Sequence, residues 1–118
     1  MSTPLAGERC DACRKDSPRV TEAEIAQFKP QIPDWEMVEV DGVPRLERTF
    51  RFKSYPAALA FTQRVGESAE EEGHHPVMTV EARRVGVSWW THAIGWLHRN
   101  DFIMAAKTDQ IYADIAAP

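Results

Sequence analysis

Gly73-His74-His75-Pro76-Val77-Met78-Thr79-Val80-Glu81-Ala82-Arg83-Arg84-Val85-Gly86-Val87-Ser88-Trp89-Trp90-Thr91-His92, residues 73–92, is the stretch whose reading decides the fold. Gly73 reads as the stop of a preceding helix, because glycine enters left-handed backbone without a Cβ penalty. From Val77 to Ala82 the residues alternate, with Met78, Val80 and Ala82 on one side. Arg83-Arg84 reads as a turn. From Val85 to His92 the alternation resumes. Val85, Val87 and Trp89 share one face, and Gly86, Ser88, Trp90 and His92 the other. A helix stop, a strand, a tight turn and a second strand make an antiparallel pair that follows a helix.

Upstream, Ser54 is a cap for that helix, and Pro56 is tolerated in its first turn. Ala58, Phe61, Val65 and Ala69 form its apolar stripe. Glu67, Glu70, Glu71 and Glu72 gather at its C-terminal end, where the helix dipole does not favour acids. A solvated face accounts for Glu71 and Glu72. Glu70 lies four residues before His74, so a helix reaching that far would put both on one face. Trp35 to Val40 and Arg45 to Phe52 read as strands, joined through the turn signal Asp41-Gly42. Leu46, Phe50 and Phe52 share a face, opposite Arg45, Glu47, Thr49 and Arg51. Arg48 interrupts the apolar side and is expected at a sheet margin. Thr21-Glu22-Ala23-Glu24 is a capping box that opens another helix, with Ile25 and Phe28 on one face. Pro30 and Pro33 end it.

Downstream, a last helix starts between His98 and Asp101, with Met104, Thr108, Ile111 and Ile115 as its inner stripe. His98 is read as a surface residue at that start. The order α-β-β-α-β-β-α predicts an α+β fold: an antiparallel four-stranded sheet with helices packed on one face. Residues 1–20, with Pro4 and Pro18 and no periodicity, are expected to form an N-terminal arm. Residues 21–118 are expected to form a single domain.

Composition narrows the function classes. The 118 residues are 43% hydrophobic and 27% charged, ordinary for a globular domain. A net charge of -4 argues against nucleic acid as a partner. No apolar run approaches the roughly 20 residues of a membrane helix. Met1 to Gly7 lacks the basic and apolar regions of a secretory signal, so a cytoplasmic location is expected. Cys10 and Cys13 form a Cys-x-x-Cys with three readings. A redox pair lacks its usual βαβ setting. A zinc site lacks nearby further ligands. A reduced pair in a polar arm needs neither, and is preferred.

Of four histidines, His74 and His75 are adjacent, and His92 follows at the end of a strand. An imidazole exchanges its proton near neutrality, which suits acid–base chemistry. Glu70 and Asp101 are candidate carboxylates to fix ring tautomers. Pro76 holds His75 extended, so the adjacent rings point apart. From spacing alone, a wet turn at a helix end explains the pair as well as a site does. No serine or cysteine nucleophile has a motif context, and there is no phosphate-binding glycine loop.

Glu70-x-x-x-His74-His75-Pro76, then His92 and Asp101, resembles the signature of the pterin-4a-carbinolamine dehydratases. The runs Trp89-Trp90-Thr91-His92, Leu97 to Ala106, Ile32-Pro33-Asp34-Trp35 and Cys10-Asp11-Ala12-Cys13 resemble the bacterial branch. The resemblance implies elimination of water from a 4a-hydroxytetrahydropterin, with no metal or redox cofactor. It implies that His74, His75, His92 and Asp101 are catalytic, and that Glu70, Trp90 and Thr91 join the histidines in binding the pterin. On this reading His92 and His74 exchange protons, His75 mainly binds substrate, Asp101 orients His92, and Glu70 supports the His pair. The implied partners are the pterin, further copies of the chain as a homodimer or homotetramer, and a functional link to phenylalanine hydroxylase. Trp89, in phase with Val85 and Val87, is expected in the core, whereas Trp90 shares a face with His92. One departure stands out: Ala82 occupies a strand position where the family usually has an aromatic residue. Some members of the fold serve as dimerisation or assembly cofactors, and Ala82 keeps that alternative open.

Overall fold

The structure, a computed structural model, describes residues 4–11 and 16–116. Helix α1 (Glu22–Phe28) begins at the capping box. The Thr21 hydroxyl accepts the Glu24 N–H at 3.1 Å, and the Glu24 carboxylate accepts the Thr21 N–H at 3.0 Å. A 3-10 turn, Lys29–Gln31, follows around Pro30. Strands β1 (Glu36–Val40) and β2 (Val43–Arg51) are joined by Asp41 and Gly42, with φ of 52° and 79°. Two successive left-handed residues give the turn whose twist matches a two-residue hairpin. Helix α2 (Tyr55–Glu72) starts where the Ser54 hydroxyl accepts the Ala57 N–H at 3.3 Å, and it stops at Gly73. Strands β3 (Val77–Glu81) and β4 (Arg84–Trp89) and helix α3 (Arg99–Ala116) complete the chain.

The sheet runs β1-β2-β4-β3, antiparallel throughout, and with its helices it forms an α+β fold. Leu46, Phe50, Val85, Val87 and Trp89 belong to one buried core with Phe61, Val65 and Ala69 of α2 and Met104 of α3. Phe61 meets Phe50, Phe52 and Tyr112 at ring distances of 4.7, 5.1 and 6.0 Å. The opposite face is polar and open: Glu36, Arg45, Glu47, Thr79 and Ser88 line a groove of about 610 Å³. Arg48 lies just beyond the β1 pairing and reaches α3, where its Nη1 donates to Asp109 Oδ1 at 2.6 Å. Trp35 Nε1 donates to the same oxygen at 2.8 Å. Burial pushes the Asp109 carboxyl above its ordinary value of 3.8, against the opposing pull of Trp35 and Arg48. No helix among the described residues is long and apolar enough to cross a membrane.

Two expectations about β3 and β4 need correction. β4 ends at Trp89 rather than His92. Its pairing with β3 stops at Val77↔Ser88, and the residue before Val77 is Pro76, which has no N–H for the ladder. Thr91 bridges Trp96 instead, so His92 lies in a turn beyond the sheet. The β3–β4 turn is Ala82-Arg83 rather than Arg83-Arg84, because Glu81↔Arg84 is the closing pair and keeps Val80 opposite Val85. Ala82 is thus an exposed turn residue. It stands roughly 16 Å along the strand from Val77 and the histidine pair.

A 3-10 turn, Leu5–Gly7, lies along α3. Leu5 is buried and its N–H donates to Gln31 Oε1 at 2.9 Å. Lys107 Nζ donates to the Ala6 carbonyl at 2.9 Å. Cys10 is partly buried against this end of the molecule. Cys13 falls outside the described residues, and with it the reading of the Cys-x-x-Cys.

Candidate active site

Helix α2 ends in a Schellman motif: the Gly73 N–H donates to Glu70 O at 3.2 Å, and the His74 N–H to Ala69 O at 3.1 Å. Gly73 sits at φ 66°, and this reversal turns the next side chain back toward the core. The His74 side chain is 6% exposed. Its ring lies nearly parallel to that of Trp89, at 5.5 Å and 15°. Trp89 is itself fixed by its Nε1–H, which donates to Thr108 Oγ1 at 3.2 Å.

Asp101, in the first turn of α3, reaches the same spot from the other side. Its side chain is fully buried. Oδ2 accepts the His98 backbone N–H at 2.9 Å and the Thr91 hydroxyl at 2.8 Å. Oδ1 lies 2.7 Å from His74 Nε2. An ionised carboxylate only accepts, so His74 Nε2 carries the proton, and in the neutral ring the lone pair falls on Nδ1. His98 is the reciprocal half of a helix cap, with its Nδ1 accepting the Asn100 N–H at 3.0 Å. Asp101 therefore closes the start of a helix and holds an imidazole with one carboxylate.

His75 points outward, with its Nε2 3.0 Å from Glu70 Oε1. These side chains are 64% and 81% exposed, so the pair orients the ring with little energy. The His92 ring packs on Trp90 at 4.4 Å. Trp90 also carries the Arg45 guanidinium over its ring at 3.8 Å. Thr91 ties the backbone next to His92 to the carboxylate that holds His74.

The family model described as pterin 4 alpha carbinolamine dehydratase matches residues 18–111. That span contains every group just described. The chain belongs to this family. A Gloeobacter violaceus protein named "Putative pterin-4-alpha-carbinolamine dehydratase 1" is 61% identical over 113 residues, covering 96% of this chain and 97% of its own. A Nitrosococcus oceani protein of the corresponding name is 53% identical, covering 91% and 95%. A solved structure described as a transcriptional coactivator/pterin dehydratase from Brucella melitensis has a TM-score of 0.71 at 31% identity, covering 80% of this chain and 98% of that one. The fold alone is shared, at 24% identity and a TM-score of 0.58, with a pterin dehydratase-like protein described as a RuBisCO assembly factor in the alpha-carboxysome. That likeness covers 67% of this chain and 89% of the other.

Within this dehydratase family member the structure redistributes the carboxylates. Asp101 was expected to orient His92, and it holds His74. The reason is that the strand carrying His92 ends early, leaving Thr91 as the residue in phase with the buried carboxylate. Glu70, expected to support the His pair, meets His75; the contact with His74 that a longer helix would have allowed does not form, because α2 ends at Glu72 and Gly73 breaks the four-residue spacing. Trp89 is in the core as expected. His98 is buried rather than a surface residue, since its ring caps α3. Arg45 was not singled out from sequence. Its signal was available: an arginine on the same face of β2 as Glu47, one pairing step beyond Leu46↔Trp89 and therefore beside Trp90. Its Nε is buried without a hydrogen-bond partner among the described residues.

Proposed function

We propose that this family member catalyses dehydration of a 4a-hydroxytetrahydropterin to the quinonoid dihydropterin. The 4a hydroxyl leaves as water after gaining a proton, a base takes a ring N–H proton, and no electron donor is needed. The buried His74–Asp101 pair carries the reading. A carboxylate with three donors around it holds one imidazole in one tautomer. Such positioned acid–base groups contribute roughly 10²–10⁴ in rate. We assign His74 and His92 to the two proton transfers and His75, braced by Glu70, mainly to substrate binding. The Trp90 ring is the surface we assign to the flat pterin. Thr91 serves the site through Asp101.

Ala82 at the far turn weakens the argument for a purely non-catalytic assembly role, because it leaves the histidines untouched. That role remains the second reading, and the exposed apolar pair Tyr55 and Leu59 on α2 is what favours it. The dehydratase reading includes a homo-oligomer formed through sheet edges and helices, a cytoplasmic location, and service to an aromatic amino-acid hydroxylase such as phenylalanine hydroxylase. The test is a stopped assay of the purified protein with chemically generated 4a-carbinolamine. The expected result is acceleration over buffer, reduced about 100-fold or more in His74→Ala and in His92→Ala. A protein no faster than buffer sinks the dehydratase reading, and unchanged turnover in His92→Ala removes His92 from the chemistry.

A further inference from the structure

The His74–Asp101 contact joins the end of α2 to the start of α3, and a third piece of chain spans the same two ends. Glu72 stands two residues before His74, and its side chain is 4% exposed. Its Oε1 accepts the Cys10 backbone N–H at 2.8 Å, and its Oε2 lies 2.8 Å from Arg9 Nε. Asn100 stands immediately before Asp101 and is 1% exposed. Its Oδ1 accepts the Asp11 N–H at 3.0 Å, and its Nδ2 donates to the Asp11 carbonyl at 2.7 Å. Cys10 Sγ reaches the Asn100 carbonyl at 4.0 Å.

We propose that Glu72 and Asn100 are positioning residues of the site, and that the dipeptide Cys10-Asp11 is the bridge through which they act. The proposal rests on the dehydratase reading for its kinetic arm only. The bridge works by geometry. Of two consecutive backbone units, the Cys10 N–H donates to Glu72, two residues before His74, and the Asp11 N–H and carbonyl pair with the side-chain amide of Asn100, the residue before Asp101. A buried glutamate that met only an exposed arginine would gain little. A backbone N–H within 2.8 Å explains why it points inward. The acid cluster at the C-terminal end of α2, which the helix dipole does not favour, gains a purpose in Glu72. Shifting either helix end by about 1 Å would misplace the ring that meets substrate, which can cost on the order of 100-fold in rate.

The test compares Asn100→Ala, Glu72→Ala and Glu72→Gln with Phe61→Leu. The last loosens the core about midway along α2, away from the bridge, and controls for lost stability. Glu72→Gln keeps an oxygen for the Cys10 N–H. Kinetics on chemically generated 4a-carbinolamine give kcat and KM. Proton NMR in water follows the His74 Nε2–H, assigned by its loss in His74→Gln. In Asn100→Ala and Glu72→Ala the expected result is a kcat about 10-fold to 100-fold lower with KM nearly unchanged. The His74 proton should exchange faster. Glu72→Gln should recover most of both, and Phe61→Leu should alter neither. If Asn100→Ala and Glu72→Ala match Phe61→Leu in kcat and in the His74 signal, the bridge is only a stabilising contact and the proposal is overturned. If the wild type does not dehydrate the carbinolamine, the functional reading falls, and the NMR comparison alone supports or overturns the bridge.

Discussion

Asp101→Asn tests the centre of the argument, because it keeps the shape of the side chain and exchanges one acceptor for a donor. Oδ2 faces two donors, the Thr91 hydroxyl and the His98 N–H, at 2.8 and 2.9 Å. The amide oxygen settles there, and the new NH2 lands where Oδ1 stood, 2.7 Å from His74 Nε2. Two donors cannot share that line, so the ring must move its proton to Nδ1 or tilt away from Trp89. The first outcome protonates the nitrogen that the native arrangement leaves as acceptor, and the second carries that nitrogen out of position. The stability cost is one charge-assisted bond in a buried site plus the weakening of two others, about 3 kcal/mol. For a chain of this size that lowers the melting midpoint by roughly 12 °C. The expected loss in kcat is about 10²–10⁴-fold, equivalent to about 3–5 kcal/mol of barrier. KM should change little, since Asp101 is fully buried and does not touch substrate. Steady-state dehydration of chemically generated 4a-carbinolamine and thermal unfolding by circular dichroism read the two effects. An Asp101→Asn protein within threefold of wild-type kcat would refute the reasoning, whatever its stability.

Trp90→Ala should raise KM roughly tenfold, about one stacking interaction, while losing far less stability than Trp89→Ala, whose fully buried site predicts about 3–5 kcal/mol; equal KM in the wild type and Trp90→Ala would remove the pterin from that ring. Gly73→Ala should cost about 1 kcal/mol in urea unfolding, from its φ of 66° alone, because an added Cβ meets nothing within 4 Å; a neutral result would mean that the Schellman turn does not fix the path to His74. The raised carboxyl of Asp109 is proton-rich in the folded state relative to its ordinary value of 3.8, so its contribution to stability is complete below that value and is lost as pH rises through the folded value. Urea unfolding should therefore show wild type losing stability relative to Asp109→Asn as pH rises from there toward neutrality, and a wild type that gains stability relative to the variant would mean that the Arg48 charge outweighs burial.

The signals legible in the chain were the ones that act over a few residues. The Thr21 capping box, the Ser54 cap, the Asp41-Gly42 turn and the Gly73 stop each depend on neighbours within hydrogen-bonding reach along the sequence, and each sits where it was expected. Alternation along β2 and β4 placed Leu46, Phe50, Val85, Val87 and Trp89 in the core for the same reason: side-chain direction in a strand is a local property. The β3–β4 turn was misplaced by one residue because Ala82, Arg83 and Arg84 carry no turn chemistry, so the register was settled by pairing across the sheet. The histidines were legible as a group, but their partners were not. A four-residue interval between Glu70 and His74 suggests a contact only while the helix continues, and Gly73 ends it. His98 gave no sign of burial, since a ring nitrogen that caps a helix and one that faces water look alike in a sequence.

By itself, then, the order of residues determined the elements, the α+β layering and the set of groups able to move protons. Those follow from backbone sterics and from the chemistry of each side chain, which travel with the chain wherever it folds. Which carboxylate holds which imidazole was decided only by the tertiary structure. His74 and Asp101 are 27 residues apart, on the ends of different helices. Their meeting depends on where β4 stops, how Trp89 stacks and how the Cys10-Asp11 segment spans both ends. A hydrogen bond of 2.7 Å requires placement finer than any periodicity specifies, and only the packed core supplies it.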